Sequence, residues 1–126
     1  MLIIGPKRDV QIKSLGLTPA LYRLTRGEFV HPDLEFRCEK LRYSLEPEDF
    51  SPAGLDVVPL WEDEMSITGF YYDEGCPVFL TYYVEDIDSP TEIGRSATEL
   101  IEFLVSEYGE DEQELRDVLQ DAAQPT

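Results

Sequence analysis

Two runs of aromatic and β-branched residues, Met65 to Tyr72 and Pro77 to Val84, flank the short stretch Asp73-Glu74-Gly75-Cys76. That arrangement constrains the fold more than any other part of the chain. Runs of this kind form strands, and so short a connection joins them only as an antiparallel hairpin. Alternation sets Phe70 and Tyr72 on one face and Tyr71 on the other; in the second run Phe79 and Tyr83 share a face opposite Tyr82. Both faces therefore carry aromatic rings. One set has to fill a core; the other belongs either to a second packed layer or to an exposed surface.

Other segments extend this frame. Leu55 to Trp61 is an apolar run broken by Asp56 and Pro59, which suits an edge strand or a strand end. Leu34 to Glu39 alternates apolar and charged residues, the period of a half-buried strand. Thr91 to Ile93 suits a short strand inside the acidic stretch Glu85 to Gly94, and Glu46 to Gly54, with Pro47 and Pro52, reads as a loop. Thr18-Pro19 starts a short helix that Gly27 stops. Ser96 with Glu99 forms a capping box, and Ala97, Leu100, Ile101, Leu104, Val105 and Tyr108 then follow helical spacing. Gly109 ends that helix; Asp111 and Glu114 open another, carrying Leu115, Val118, Leu119 and Ala122. The tail Gln124 to Thr126 is expected to fray. With 126 residues the chain suits a single domain spanning 1–126. The expected class is α+β: an antiparallel sheet of about four to six strands, helices packed on one face, and helices at the C-terminus.

Charge is distributed unevenly. Residues 1–43 carry eight Lys/Arg against five Asp/Glu, and residues 44–126 carry two against twenty-two, within a net charge of −17. A small domain stays soluble with a net charge of about 2–8, so this excess exceeds what solubility asks. It disfavours nucleic acid and anionic membrane as partners and favours a basic protein, unless the whole proteome is acidic, as in salt-adapted organisms. No apolar run reaches the roughly 20 residues that span a bilayer. The start, Met1 to Arg8, lacks the pattern of a signal peptide. Cys38 and Cys76 form no C-x-x-C pair and read as free thiols in a reducing cytoplasm.

Signals for chemistry are sparse. His31-Pro32-Asp33 spells the tripeptide of J-domain co-chaperones, but a strand-like pattern follows, so it reads as a turn with a solvent-facing histidine. As His31 is the one histidine, a nucleophile drawn from Ser14, Ser44, Cys38 or Cys76 would have to reach it. Asp86-Ile87-Asp88 begins like a calcium loop, yet Thr91 stands where the glycine is needed and Ala97 where the glutamate is needed. No nucleotide-binding motif is present. The sequence implies no cofactor and no metal, and oligomeric state leaves no mark in it.

The stretch from Leu55 to Tyr108 resembles the SUKH superfamily, a fold shared by many bacterial polymorphic-toxin immunity proteins. Val57-Val58-Pro59-Leu60-Trp61 is similar to the family's strand before a turn, and Gly69-Phe70-Tyr71-Tyr72-Asp73 to its central strand. Cys76-Pro77-Val78-Phe79-Leu80-Thr81-Tyr82-Tyr83 resembles the strand that acids follow, and Ile93 to Leu104 resembles the closing helix. Glu62-Asp63-Glu64 stands where the family shows a glycine-rich turn. The resemblance implies a non-enzymatic cytoplasmic protein that binds and neutralises a cognate toxin, often a basic nuclease. Some members of the family imply a second reading, a regulatory or scaffold module for an endogenous protein. A small carboxylate enzyme would be a third, and would need a concave pocket with a desolvated acid pair.

Strand-end loops supply the expected contact residues. Alternate loops of a meander share one end of the sheet, which groups residues 62–64 with 85–88 and sends Asp73-Glu74 to the other end. Acids ringing aromatic side chains make a surface for a basic protein. The expected partner-binding set is Trp61, Glu62, Asp63, Glu64, Tyr71, Tyr82, Glu85, Asp86 and Asp88.

Overall fold

The computed structural model describes residues 1–120, so the expectations for Ala122 and for the tail 124–126 lie outside the described residues. Among the described residues four α-helices, α1 (Pro6–Ser14), α2 (Pro19–Leu24), α3 (Ala97–Tyr108) and α4 (Glu112–Leu119), accompany four strands, β1 (Val58–Glu62), β2 (Ser66–Asp73), β3 (Cys76–Tyr83) and β4 (Thr91–Gly94). The strands form one antiparallel meander in the order β1-β2-β3-β4. The fold is α+β, with two helices at the C-terminal end of the described chain.

Local chemistry explains the best-formed parts. The β2–β3 turn has Glu74 at φ 52° and Gly75 at φ 84°, two successive left-handed residues whose twist matches that of the flanking strands. Asp73 pairs with Cys76, and the register then runs unbroken to Ser66 opposite Tyr83. Ser96 Oγ accepts the Glu99 N–H at 3.2 Å, while Glu99 Oε1 accepts the N–H of Arg95. Asp111 caps α4 in the same way, accepting from Glu114 N at 3.1 Å. Thr18 caps α2 and also donates to the Leu119 carbonyl at 2.7 Å, tying the second helix to the last.

The helices share one face of the sheet. There Phe70, Phe79 and Val58 join Leu21, Leu24, Leu100, Leu104 and Leu115 in the main core. The other face carries Val57, Ile67, Leu80 and Tyr82, covered by Tyr43, Phe50 and Leu55 from the irregular segment before β1. Of the two alternatives for the second set of rings, the packed layer is realised for Tyr82.

A bulge between Pro59 and Trp61 shifts the β1 register. The extra residue lets both Leu60 and Trp61 join the helical core. It also brings β1 close to β2: a Cβ on Gly69 would stand 2.5 Å from the Val58 carbonyl oxygen and 3.0 Å from the Pro59 Cα. The outer edge of β1 is occupied along its length by the N-terminal third. Ile3 N donates to the Val57 carbonyl, Arg8 donates to the carbonyls of Pro59 (2.6 Å) and Leu60 (3.0 Å), and Glu39 and Glu62 exchange backbone bonds. Chain covering leaves no bare edge there.

The strand expected over Leu34 to Glu39 does not form. Pro32–Leu34 is a single tight turn, Cys38 N–H bonds the Leu34 carbonyl, and Phe36 takes φ 68°. Buried Leu34 and Cys38, four residues apart, sit on one side of a turn, and the left-handed Phe36 is 69% exposed. Glu39 alone pairs as a strand residue would. The solvent-facing histidine is also corrected: His31 is buried, with Nδ1 accepting from Asp33 N at 3.1 Å and Nε2 lying 3.0 Å from Glu114 Oε1.

Candidate protein-interaction surface

Three of the expected contact residues are buried and cannot meet a partner. Trp61 is drawn into the helical core by the bulge and Tyr82 points into the second layer; they are 1% and 2% exposed. Tyr82 donates to the Phe50 carbonyl at 2.7 Å, and burial pushes its phenol well above the ordinary tyrosine range. Glu62, 1% exposed, is a structural carboxylate. Its Oε1 accepts the N–H groups of Arg42 (2.9 Å) and Tyr43 (2.8 Å), and its Oε2 accepts Ser44 N (2.9 Å) and Ser44 Oγ (2.6 Å). Four donors converge on one side chain and hold the turn Tyr43–Leu45 against the sheet.

The others lie at the surface or near it. Asp63 is half-buried and braces the β1–β2 turn, accepting from Met65 N (2.8 Å) and Ser66 N (2.7 Å). Glu64, Glu85, Asp86 and Asp88 are exposed, and Asp88 accepts from Ala53 N at 3.1 Å. Tyr71 is half-buried and packs on the second layer. The β1–β2 and β3–β4 connections meet at one sheet end, where Val84 N donates to the Met65 carbonyl at 2.9 Å. At the other end Asp73 faces Arg95 at 3.4 Å.

Four residues outside the expected set dominate this end of the molecule. Phe36, Tyr83, Phe29 and Met65 are 69%, 64%, 51% and 39% exposed. They line two adjoining grooves, of about 560 Å³ beside Phe29 and Phe36 and about 680 Å³ beside Phe36, Met65 and Tyr83. A third hollow of about 420 Å³ continues from Asp63 and Tyr83 to Asp86, Phe103 and Tyr108. The lining of this track mixes the cations Arg37, Lys40 and Arg42 with the carboxylates Glu35, Glu39, Asp63, Glu64, Asp86 and Glu107. Arg37 lies 5.2 Å from the centroid of the Tyr108 ring. Burial, with the Asp63 carboxylate, pushes the Tyr108 phenol up to about 12, so it stays a hydroxyl at neutral pH. Exposed aromatic, methionine and arginine side chains are the composition that interface centres favour.

The sequence held no local signal for Phe36, whose exposure follows from its backbone turn. Tyr83 was misleading: its parity matches buried Phe79, but it ends β3 and stays uncovered.

His31 bonds Asp33 and Glu114, Ser44 bonds Glu62, and Ser14 bonds the Gln11 carbonyl and contacts the Tyr72 hydroxyl. Cys38 is buried, and desolvation pushes its thiol far above the usual range, away from the thiolate form. Cys76 is exposed at the start of β3, where it pairs with Asp73. Among the described residues no group of three or more His, Cys, Asp or Glu could hold a metal ion, and no helix is long and apolar enough to cross a membrane. No protein-family model matches the chain, and no curated protein or solved structure matches it.

Proposed function

We propose that this chain is a non-catalytic protein-binding module of the immunity type, which neutralises a basic toxin domain by docking on it. The observation that carries the reading is the exposed track Phe29–Phe36–Met65–Tyr83, with Asp63, Glu64 and Asp86 among the residues that line it. The rings supply apolar area that water leaves on association, and the acids steer a basic partner toward it. The net charge of −17 adds long-range attraction. The SUKH resemblance supplies the class of partner; the corrected surface supplies the residues. Trp61, Glu62 and Tyr82 act behind that surface as supports, and Phe36 and Tyr83 take their place as anchors. Blocking is stoichiometric and needs no cofactor. The reading sets the protein in the cytoplasm, where Cys38 and Cys76 stay reduced.

The test is affinity capture from the source organism's lysate with the wild-type chain and with a Phe36→Ser/Tyr83→Ala variant, at low and high salt. Expected is one basic protein that the wild type retains and the variant loses, with association slowed by salt. That protein, expressed alone, should arrest growth, and co-expression of the wild type should restore it. Capture that both substitutions leave unchanged would overturn the surface assignment. A captured partner that is harmless by itself would favour the regulatory module over immunity.

A further inference from the structure

A polar cleft of about 340 Å³ lies between α1 and α2, lined by Arg8, Lys13, Arg26, Tyr22 and Asp9 among others. Three cations face one acid there, in a chain with 27 Asp/Glu and 10 Lys/Arg. Arg8 forms its floor. Its side chain is 12% exposed and is fixed by donation to three backbone carbonyls, those of Pro59, Leu60 and Thr25. Those bonds use Nε and Nη2; Nη1 has Asp9 at 3.9 Å. Burial lowers the Arg8 pKa, and the neighbouring Asp9 offsets part of that effect.

Lys13 and Arg26 are exposed and, among the described residues, make no ion pair. Arg26 lies 5.9 Å from the centroid of the Tyr22 ring. Buried Ile12 adds an apolar element to the wall. The excess of two positive charges calls for a compact dianion, and guanidinium groups bind phosphate oxygens with directed bonds. Ligand pockets run from about 300 to 1,000 Å³, so this cleft fits a small molecule.

We propose that the α1–α2 cleft binds a small phosphate monoester, its phosphate held by Arg8, Lys13 and Arg26 and its organic group laid against Tyr22. The site is separate from the aromatic track and does not depend on the proposed docking function.

The experiment titrates the ¹⁵N-labelled full chain with inorganic phosphate, with phenyl phosphate and with sodium chloride at matched ionic strength. Expected are saturable amide shifts confined to residues 8–14 and 22–26 with both phosphates and not with chloride, and several-fold tighter binding of phenyl phosphate. Lys13→Ala and Arg26→Ala should each weaken phosphate by about tenfold, with Arg26→Lys recovering part of it. Both side chains are exposed, so an unchanged spectrum of the free variants certifies their fold. Shifts that follow ionic strength alike for chloride and phosphate would overturn the site, as would affinities that neither alanine variant alters. Equal affinity for the two phosphates would overturn the role given to Tyr22.

Discussion

On one face of the sheet Phe70 and Phe79 meet Leu100, Leu104 and Leu115 from two regular helices; on the other Ile67, Leu80 and Tyr82 meet Tyr43, Phe50 and Leu55 from a segment without regular repeat. The two layers solve one problem differently. A helix satisfies its own backbone, so its packing face can be wholly apolar. An irregular segment cannot, and its amides need partners from elsewhere. Glu62 supplies them for residues 42–44, the Tyr82 hydroxyl answers the Phe50 carbonyl, and Asp88 takes Ala53 N. The helical layer is held by apolar area, the loop layer by a few polar anchors. The loop layer also continues directly into the groove around Phe36.

The sharpest way to break this contrast is to cut each layer at its own kind of support. Leu104→Ala should lower stability by about 3–4 kcal/mol, read from urea unfolding, since it opens a cavity in a fully buried site. Protection against hydrogen exchange should then fall across the whole molecule. Glu62→Gln should remove about 2–3 kcal/mol, because an amide nitrogen would turn a donor toward donors already in place. Its exchange signature should be local, with amides 42–44 opening while α3 stays protected. Equal loss of protection in both variants would mean that the layers melt as one.

Tyr82→Phe isolates a single anchor and should remove about 1 kcal/mol at neutral pH. Folding favours the neutral phenol here, because burial raises its pKa. That stability is complete below the unfolded tyrosine value of about 10 and declines as pH rises past it. The gap between wild type and Tyr82→Phe should therefore narrow above about pH 10, as the wild type loses stability faster. The smallest effect has the opposite sign. Phe36→Gly should stabilise the fold by up to about 1 kcal/mol, because glycine adopts φ 68° without strain. The same change should weaken partner capture, which would mark the strain as kept for binding.

What could be read in the sequence follows the same division. The hairpin, the caps at Ser96 and Asp111 and the apolar spacing of α3 are local patterns, and each element formed where its pattern stands. Glu62 bonds amides 18 to 20 residues away, a relation that no period records. It looked like the other loop acids because composition cannot tell a solvated carboxylate from one enclosed by donors. Trp61 was hidden by a bulge, which changes parity within two residues. The Leu34–Glu39 alternation was genuine but served a turn, since one left-handed residue reverses where side chains point. α1 has a single buried side chain, Ile12, so it carries no apolar stripe to recognise. Of the candidate surface, the acids at the shared sheet end were legible from strand order; its aromatic centre was not.

The covered edge of β1 has a consequence for the order in which the protein is made. α1 leaves the ribosome before the strand it packs on exists, and at about 5–20 residues per second the wait for Glu62 lasts several seconds. Nine residues are too few to hold a helix without a partner. The cover on β1 therefore closes only after that strand has emerged, over a hairpin that can assemble from its own local contacts. Until it does, β1 offers an open row of amides and carbonyls to any neighbouring chain. During that interval the open edge is the place where a wrong strand partner would add.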